Sequence, residues 1–148
     1  MTDGGFAIRE TAAGERVKLR ELLVACGLPR MGFEDPRLRL WGAFAGGELV
    51  GMAGLERHGS AGLLRSVATR EAWRGRGVAA ALVRAILEAA AVAGMTRLWL
   101  LTEGAEEYFR RWGFVTVPRA QGDPQLMASA EFQGGRCAAA VLMMRPVP

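Results

Sequence analysis

The run Trp73-Arg74-Gly75-Arg76-Gly77-Val78-Ala79-Ala80-Ala81-Leu82 is where this sequence concentrates residues able to do chemistry. A glycine-punctuated turn leads directly into a long apolar helix. Such a turn leaves backbone N–H groups free, and the helix start adds a partial positive charge at the same spot. Together they form a seat for a phosphate or diphosphate. A Cβ at either glycine would hinder the close approach of an anion. Arg74 and Arg76 add charge at the rim. The reading is therefore a phosphorylated ligand held by Arg74, Gly75, Arg76, Gly77, Val78 and Ala79.

Other chemistries are poorly supplied. A single histidine, His58, excludes a multi-histidine metal site. Cys26 and Cys137 lie far apart and suit neither a zinc site nor a disulfide framework. No metal is expected, and no spacing indicates a Ser-His-Asp set. The net charge is +4, but the 19 Lys and Arg residues are scattered rather than gathered on one face. That argues against a nucleic-acid partner. No uninterrupted apolar stretch is long enough to span a bilayer, so no membrane partner is expected. The N-terminus lacks a signal-peptide layout, which points to the cytoplasm. With 148 residues, 51% of them hydrophobic, the chain reads as one globular domain over 1–148.

The elements that must position the turn follow from periodicity. Phe6 to Glu10 predicts a short strand. Gly14 to Cys26 predicts an amphipathic helix with Val17, Leu19, Leu22, Leu23 and Cys26 on its apolar face. Leu38–Ala45, Glu48–Glu56 and Leu63–Thr69 predict an antiparallel meander, turned at Gly46-Gly47 and at His58-Gly59-Ser60. Helical periodicity then runs from Arg74 to Ala93, with Val78, Leu82, Ala85, Ile86 and Ala89 on one face. Arg97–Thr102 predicts a strand, Ala105–Trp112 a short helix, Phe114–Val117 and Ala139–Met144 two more strands. A short helix is expected near Gln125 to Phe132. The class is α/β, with a mostly antiparallel sheet flanked by helices and one parallel βαβ unit carrying the glycine turn.

Two ligand classes fit that turn. Gly75-x-Gly77-x-x-Ala80 matches a dinucleotide fingerprint, with Glu103 at the next strand end as a ribose-binding acid. In that fingerprint the strand runs into the first glycine. Here Arg70 to Arg74 intervene and the upstream strands form a meander, so an oxidoreductase is the weaker reading.

The better match is a resemblance to the GNAT superfamily of acyl-CoA-dependent N-acetyltransferases. Arg74-x-x-Gly77-x-Ala79 resembles its pyrophosphate motif. Leu64-Arg65-Ser66-Val67-Ala68-Thr69 resembles the strand before it. Ala105-Glu106-Glu107-Tyr108-Phe109-Arg110-Arg111-Trp112-Gly113-Phe114 resembles its second motif, Ala-x-x-Phe-Tyr-x-x-x-Gly-Phe. Within the superfamily the chain is similar to small bacterial acetyltransferases of arsenic-resistance clusters. That likeness rests on Leu22 to Pro29, Val50 to Glu56, and the tail from Glu131-Phe132 through Cys137 to Met144.

The resemblance implies acetyl-CoA as co-substrate and a small-molecule amine as acceptor, with a link to arsenic or toxic-metabolite resistance. It implies pantetheine laid along Ser66, Val67, Ala68 and Thr69 like an added strand, with the diphosphate on the amides of Arg76 to Ala79. An amide near Val67 would polarise the thioester carbonyl. Glu56 is the candidate base and Glu103 the second. The family's acid tyrosine falls at Phe109, which has no proton to give and is expected to pack against the cofactor. Tyr108 sits one residue earlier, a rotation of about 100° on a helix, and is the alternative acid; solvent is the other. A catalytically silent acyl-CoA-binding module is the competing function. Arg65 and His58 read as exposed strand or turn residues, and the four tryptophans as core. Cys26 and Cys137 would bind trivalent arsenic only if they converged; two unrelated buried thiols is the plainer reading. A homodimer, if formed, is expected through the C-terminal strands.

Overall fold

The computed structural model describes residues 5–28, 30, 32–127 and 140–148. In chain order it builds β1 (Ala7–Glu10), α1 (Arg16–Ala25), β2 (Leu38–Ala45), β3 (Glu48–His58) and β4 (Ala61–Thr69). Then follow α2 (Val78–Val92), β5 (Arg97–Thr102), α3 (Glu106–Arg110), β6 (Val115–Thr116), α4 (Pro124–Met127) and β7 (Val141–Pro146). One seven-stranded sheet forms in the order β1-β2-β3-β4-β5-β7-β6. All neighbours are antiparallel except β4 and β5, the pair joined by α2. This is the mixed, mostly antiparallel sheet expected, and its front half is the meander rather than a parallel dinucleotide sheet.

The β2–β3 hairpin closes on Gly46 and Gly47, whose φ values of 57° and 85° suit a two-residue turn that follows the strand twist. The next hairpin differs from expectation. β3 does not stop at Glu56: Arg57 pairs with Gly62 and His58 with Ala61, so the ladder continues and the turn is only Gly59-Ser60. Glu56 is therefore an interior strand residue.

Helix α2 begins at Val78 rather than Arg74. Gly75 and Gly77 have φ of 77° and 84°, a left-handed backbone that cannot continue a right-handed helix. The buried face of α2 is Val78, Leu82, Val83, Ile86 and Ala90, turned slightly from the expected stripe so that Ala85 and Ala89 are only half-buried. It packs with Leu55, Leu64, Leu98 and Leu100 on one face of the sheet. On α1, Leu19, Leu22 and Leu23 pack with Leu38, Leu40, Met52 and Ala68. Val17 is 60% exposed instead of joining that face, because two residues before Leu19 put it about 160° around α1 from the buried stripe. Leu126 of α4 closes a third cluster with Ala61, Leu63, Trp99 and Leu142. The expected helix to Phe132 and strand start at Ala139 extend outside the described residues, as does Cys137.

The N-terminus of α2 can approach the sheet because β3 carries Gly51 there. A Cβ on Gly51 would lie 2.5 Å from Val78 Cγ1 and 3.3 Å from the Ala68 carbonyl oxygen. Gly51→Ala is expected to lift the start of α2 and lower stability by about 1–3 kcal/mol. An unchanged thermal midpoint would contradict this packing.

Candidate active site

The two parallel strands hydrogen-bond only at their beginnings. Ala61 pairs with Arg97, Gly62 with Leu98 and Leu63 with Trp99; the register ends there. Beyond that point β4 continues to Thr69 and β5 to Thr102, so the strands part. A cavity of about 550 Å³ opens in the gap. Its walls are Leu64 to Thr69 on one side and Leu100 to Glu103 on the other. Among the described residues the inner edge of β4 from Leu64 onward has no strand partner, which is the edge an extended ligand can join.

The same stretch of β4 carries a bulge. Met52 pairs with Ala68 and Gly54 with Arg65, so Ser66 and Val67 together face Ala53. A bulge leaves an extra residue outside the ladder and re-aims the backbone. Ser66 has φ of 59°.

The glycine turn sits at the mouth. Arg74 and Ala79 line the cavity, and Arg74 Nε donates to the Thr69 carbonyl at 3.3 Å. Gly75, Arg76 and Gly77 form the exposed turn between them, and Gly77 is the N-cap of α2. A Cβ on Gly75 or Gly77 would meet nothing within 4 Å, so the turn faces open space. The first helical bond runs from Ala81 N–H to the Gly77 carbonyl. The amides of Val78, Ala79 and Ala80 precede it and are the orphan donors of the first turn. Val78 contributes only its amide, since its side chain is buried. Arg76 lies over the Trp73 ring, its Cζ 4.6 Å from the centroid.

Ser66, Val67, Ala68, Thr69, Arg74, Ala79, Phe109 and Tyr108 all border one space. The structure thus brings together most of the residues singled out by sequence. Tyr108 and Phe109 both line it despite their rotation on α3; their rings meet edge to face, centroids 5.2 Å apart. The Tyr108 hydroxyl is buried with no hydrogen-bond partner among the described residues. Glu103 lies on the opposite wall and is exposed. The sequence reading missed Cys26, Gly27 and Leu28, which reach the cavity from the end of α1.

Glu56 is placed differently. Its side chain is 1% exposed and is not among the residues that line the cavity. His58 Nε2 lies 2.5 Å from Glu56 Oε1, and Arg65 Nη1 donates to Glu56 Oε2 at 3.2 Å. Arg65 and His58, expected on the surface, are both buried. The extended β3 explains this: Glu56 and His58 alternate onto one face, and Arg65 comes beside them from β4. The i, i+2 spacing of Glu56 and His58 was the available signal, hidden by the turn-like His58-Gly59-Ser60. Outside the cluster, Arg37 Nη1 approaches His58 Nδ1 at 3.4 Å and pairs with Asp35 at 2.7 Å. Because a guanidinium only donates, Nδ1 accepts, and Nε2 carries the hydrogen given to Glu56.

Among the described residues no three His, Cys, Asp or Glu side chains group to hold a metal, and no helix is long and apolar enough to cross a membrane. The sequence model of the acetyltransferase (GNAT) family matches residues 9–114. The chain belongs to that family and is an acyltransferase. No curated protein sequence matches it. Among solved structures, a Mycobacterium tuberculosis protein in complex with CoA is similar with a TM-score of 0.79 at 20% identity, over 96% of this chain and 99% of its own. A Staphylococcus aureus acetyltransferase of the GNAT family gives 0.80 at 13%, over 97% and 99%. N-acetylglutamate synthase from Neisseria gonorrhoeae, complexed with coenzyme A and N-acetyl-glutamate, gives 0.82 at 18%, over 97% of this chain and 35% of that one. At these identities the likeness is one of fold.

The Asp35 carboxyl, which anchors the outer end of the Glu56 cluster, is held down to about 2 by the Arg37 side chain and the Arg37 amide. Its folded value is below the ordinary 3.8. The stabilisation it contributes is therefore present above about pH 4 and lost as pH falls toward about 2. Asp35→Asn should flatten the acid limb of a stability-versus-pH curve in that window. An unaltered acid limb would show that the pair contributes nothing.

Proposed function

We propose that this protein transfers the acetyl group of acetyl-CoA to the amine of a small molecule by direct attack, with residues 1–148 acting as a single acyltransferase domain in the cytoplasm. The observation that carries this reading is the parting of β4 from β5 beside the free amides of the α2 start. An extended, diphosphate-bearing thioester matches both halves of that arrangement.

In this reading the backbone edge from Ser66 to Thr69 orients the pantetheine arm. The amides from Arg76 to Ala79, with the Arg74 guanidinium, hold the diphosphate, and Phe109 packs beside the arm. Acetyl-CoA supplies an activated carbonyl and a thiolate leaving group. The Val67 amide stabilises charge that develops on the carbonyl oxygen. Of the two carboxylates named from sequence, Glu103 borders the cavity and Glu56 is engaged by Arg65 and His58. Glu103 therefore takes the ammonium proton, directly or through water, and frees the amine to form the C–N bond. Tyr108 gives its hydroxyl proton to the sulfur as the C–S bond breaks, and the second proton, shed by the nitrogen as it becomes an amide, restores the phenol through solvent.

The phenylalanine at 109 favours a second reading, a binding module without turnover; the presence of Tyr108 on the cavity wall favours the first. The arsenic-resistance link rests on sequence resemblance alone. A homodimer through the C-terminal strands would use β6, where the sheet ends.

Incubation with acetyl-CoA and a panel of amines, following free thiol, tests the activity. Amine-dependent thiol release is expected; tight CoA binding with no release on any acceptor would favour the silent module. Tyr108→Phe should lower kcat by about 10- to 100-fold while leaving KM for acetyl-CoA near its starting value. An unchanged kcat would remove Tyr108 from the proton path. Ala79→Glu places a negative charge at the diphosphate seat, on a helix start that tolerates acids. CoA affinity should fall at least about tenfold without loss of thermal stability. Undiminished affinity would count against both readings.

A further inference from the structure

Ser66 is the one non-glycine residue with positive φ among the described residues. For a residue with a Cβ this costs about 1–2 kcal/mol. Such a conformation persists only where its surroundings over-determine it. The bulge supplies one constraint. The other is a hydrogen bond from Arg65 Nε to Ser66 Oγ at 3.2 Å.

Arg65 is itself held from behind. Its side chain is fully buried, and Nη1 donates to Glu56. Glu56 is held by His58, and His58 by Arg37 from the β2 approach. A continuous polar chain thus crosses the face of the sheet that α1 and α4 cover, between the Met52 and Leu63 clusters. It starts at the Asp35–Arg37 loop and ends on the cavity wall at Arg65 and Ser66. A buried ion pair is weak evidence for stability, since apolar side chains of similar volume often serve as well. Here the chain terminates on the strained residue, immediately before the Val67 amide.

We propose that Glu56, His58 and Arg65 form a positioning clamp that holds Ser66 left-handed and thereby aims the Val67 amide into the cavity. Glu56 acts through Arg65, as a positioning residue rather than as a base. The inference rests on the proposed acyl-transfer reading for its effect on turnover, but its effect on the bulge does not.

Arg65→Lys keeps a cation opposite Glu56 and removes the Nε donor. Ser66→Ala removes the acceptor and keeps the Cβ, and so tests the clamp without disturbing the buried pair. The intraresidue Hα–amide NOE at position 66, read by NMR on the protein without CoA, should weaken in each, since a left-handed φ brings those two hydrogens close and an extended backbone does not. Arg65→Lys should also lower kcat by about tenfold, with KM for acetyl-CoA within about twofold. Glycine adopts the left-handed backbone without strain. Ser66→Gly in the Arg65→Lys background should therefore bring kcat to within about threefold of Ser66→Gly alone, a coupling that a merely stabilising ion pair would not show. An undiminished NOE at position 66 in both single variants, or no recovery in the double variant, would overturn the clamp. A weakened NOE in the single variants with no acetyl transfer by any of the proteins, wild type included, would uphold the clamp and remove the proposed function.

Discussion

The site depends on one departure from regular sheet geometry: β4 and β5 stop hydrogen-bonding after Leu63 and Trp99. Backbone groups in a protein interior need partners. Parting two central strands is tolerable only where something else can satisfy the exposed edge. The gap is therefore both a structural liability and the binding feature. The bulge at Ser66-Val67 re-aims the backbone of β4 inside the gap, while α2 carries its N-terminus to the gap's mouth.

Helices on the two faces of the sheet hold the strands in that position. α2 lies close because Gly51 has no side chain to keep Val78 away. The other face has its apolar clusters under α1 and α4, and between them the buried polar side chains of Glu56, His58 and Arg65. Polar and charged groups are costly to remove from water, and Glu56 contacts both of the others. At the far end of the cavity Tyr108 and Phe109 interlock edge to face. Their interchanged order relative to the family motif moves the only phenol by one residue without removing it from the cavity.

Features set by local physics were readable in the sequence. Gly46-Gly47 announced its hairpin, and the glycine turn before Val78 announced a helix start with open amides. The turn residues before Leu63 announced the strand beside it, although that strand starts two residues earlier, at Ala61. Features set by partners distant in sequence were not readable. Nothing local distinguishes a strand-end Glu56 from one buried against Arg65, and His58-Gly59-Ser60 resembles a three-residue turn although the ladder runs through His58. Likewise, a rotation of 100° between neighbouring helix residues seemed to separate Tyr108 from Phe109. A five-residue helix at the end of an open gap lets both rings border it. Cys26 reaches the cavity only because α1 ends against β4, where its thiol lies 3.7 Å from the Thr69 carbonyl oxygen.

The claim on which the account rests is that the free edge of β4 and the start of α2 hold one ligand between them. Backbone hydrogen exchange with and without CoA measures this directly. Slowed exchange is predicted in two separate segments, Val67 to Thr69 and Arg76 to Ala79, with little change along β1 and β2. Protection confined to any other part of the sheet, or none at saturating CoA, would contradict it.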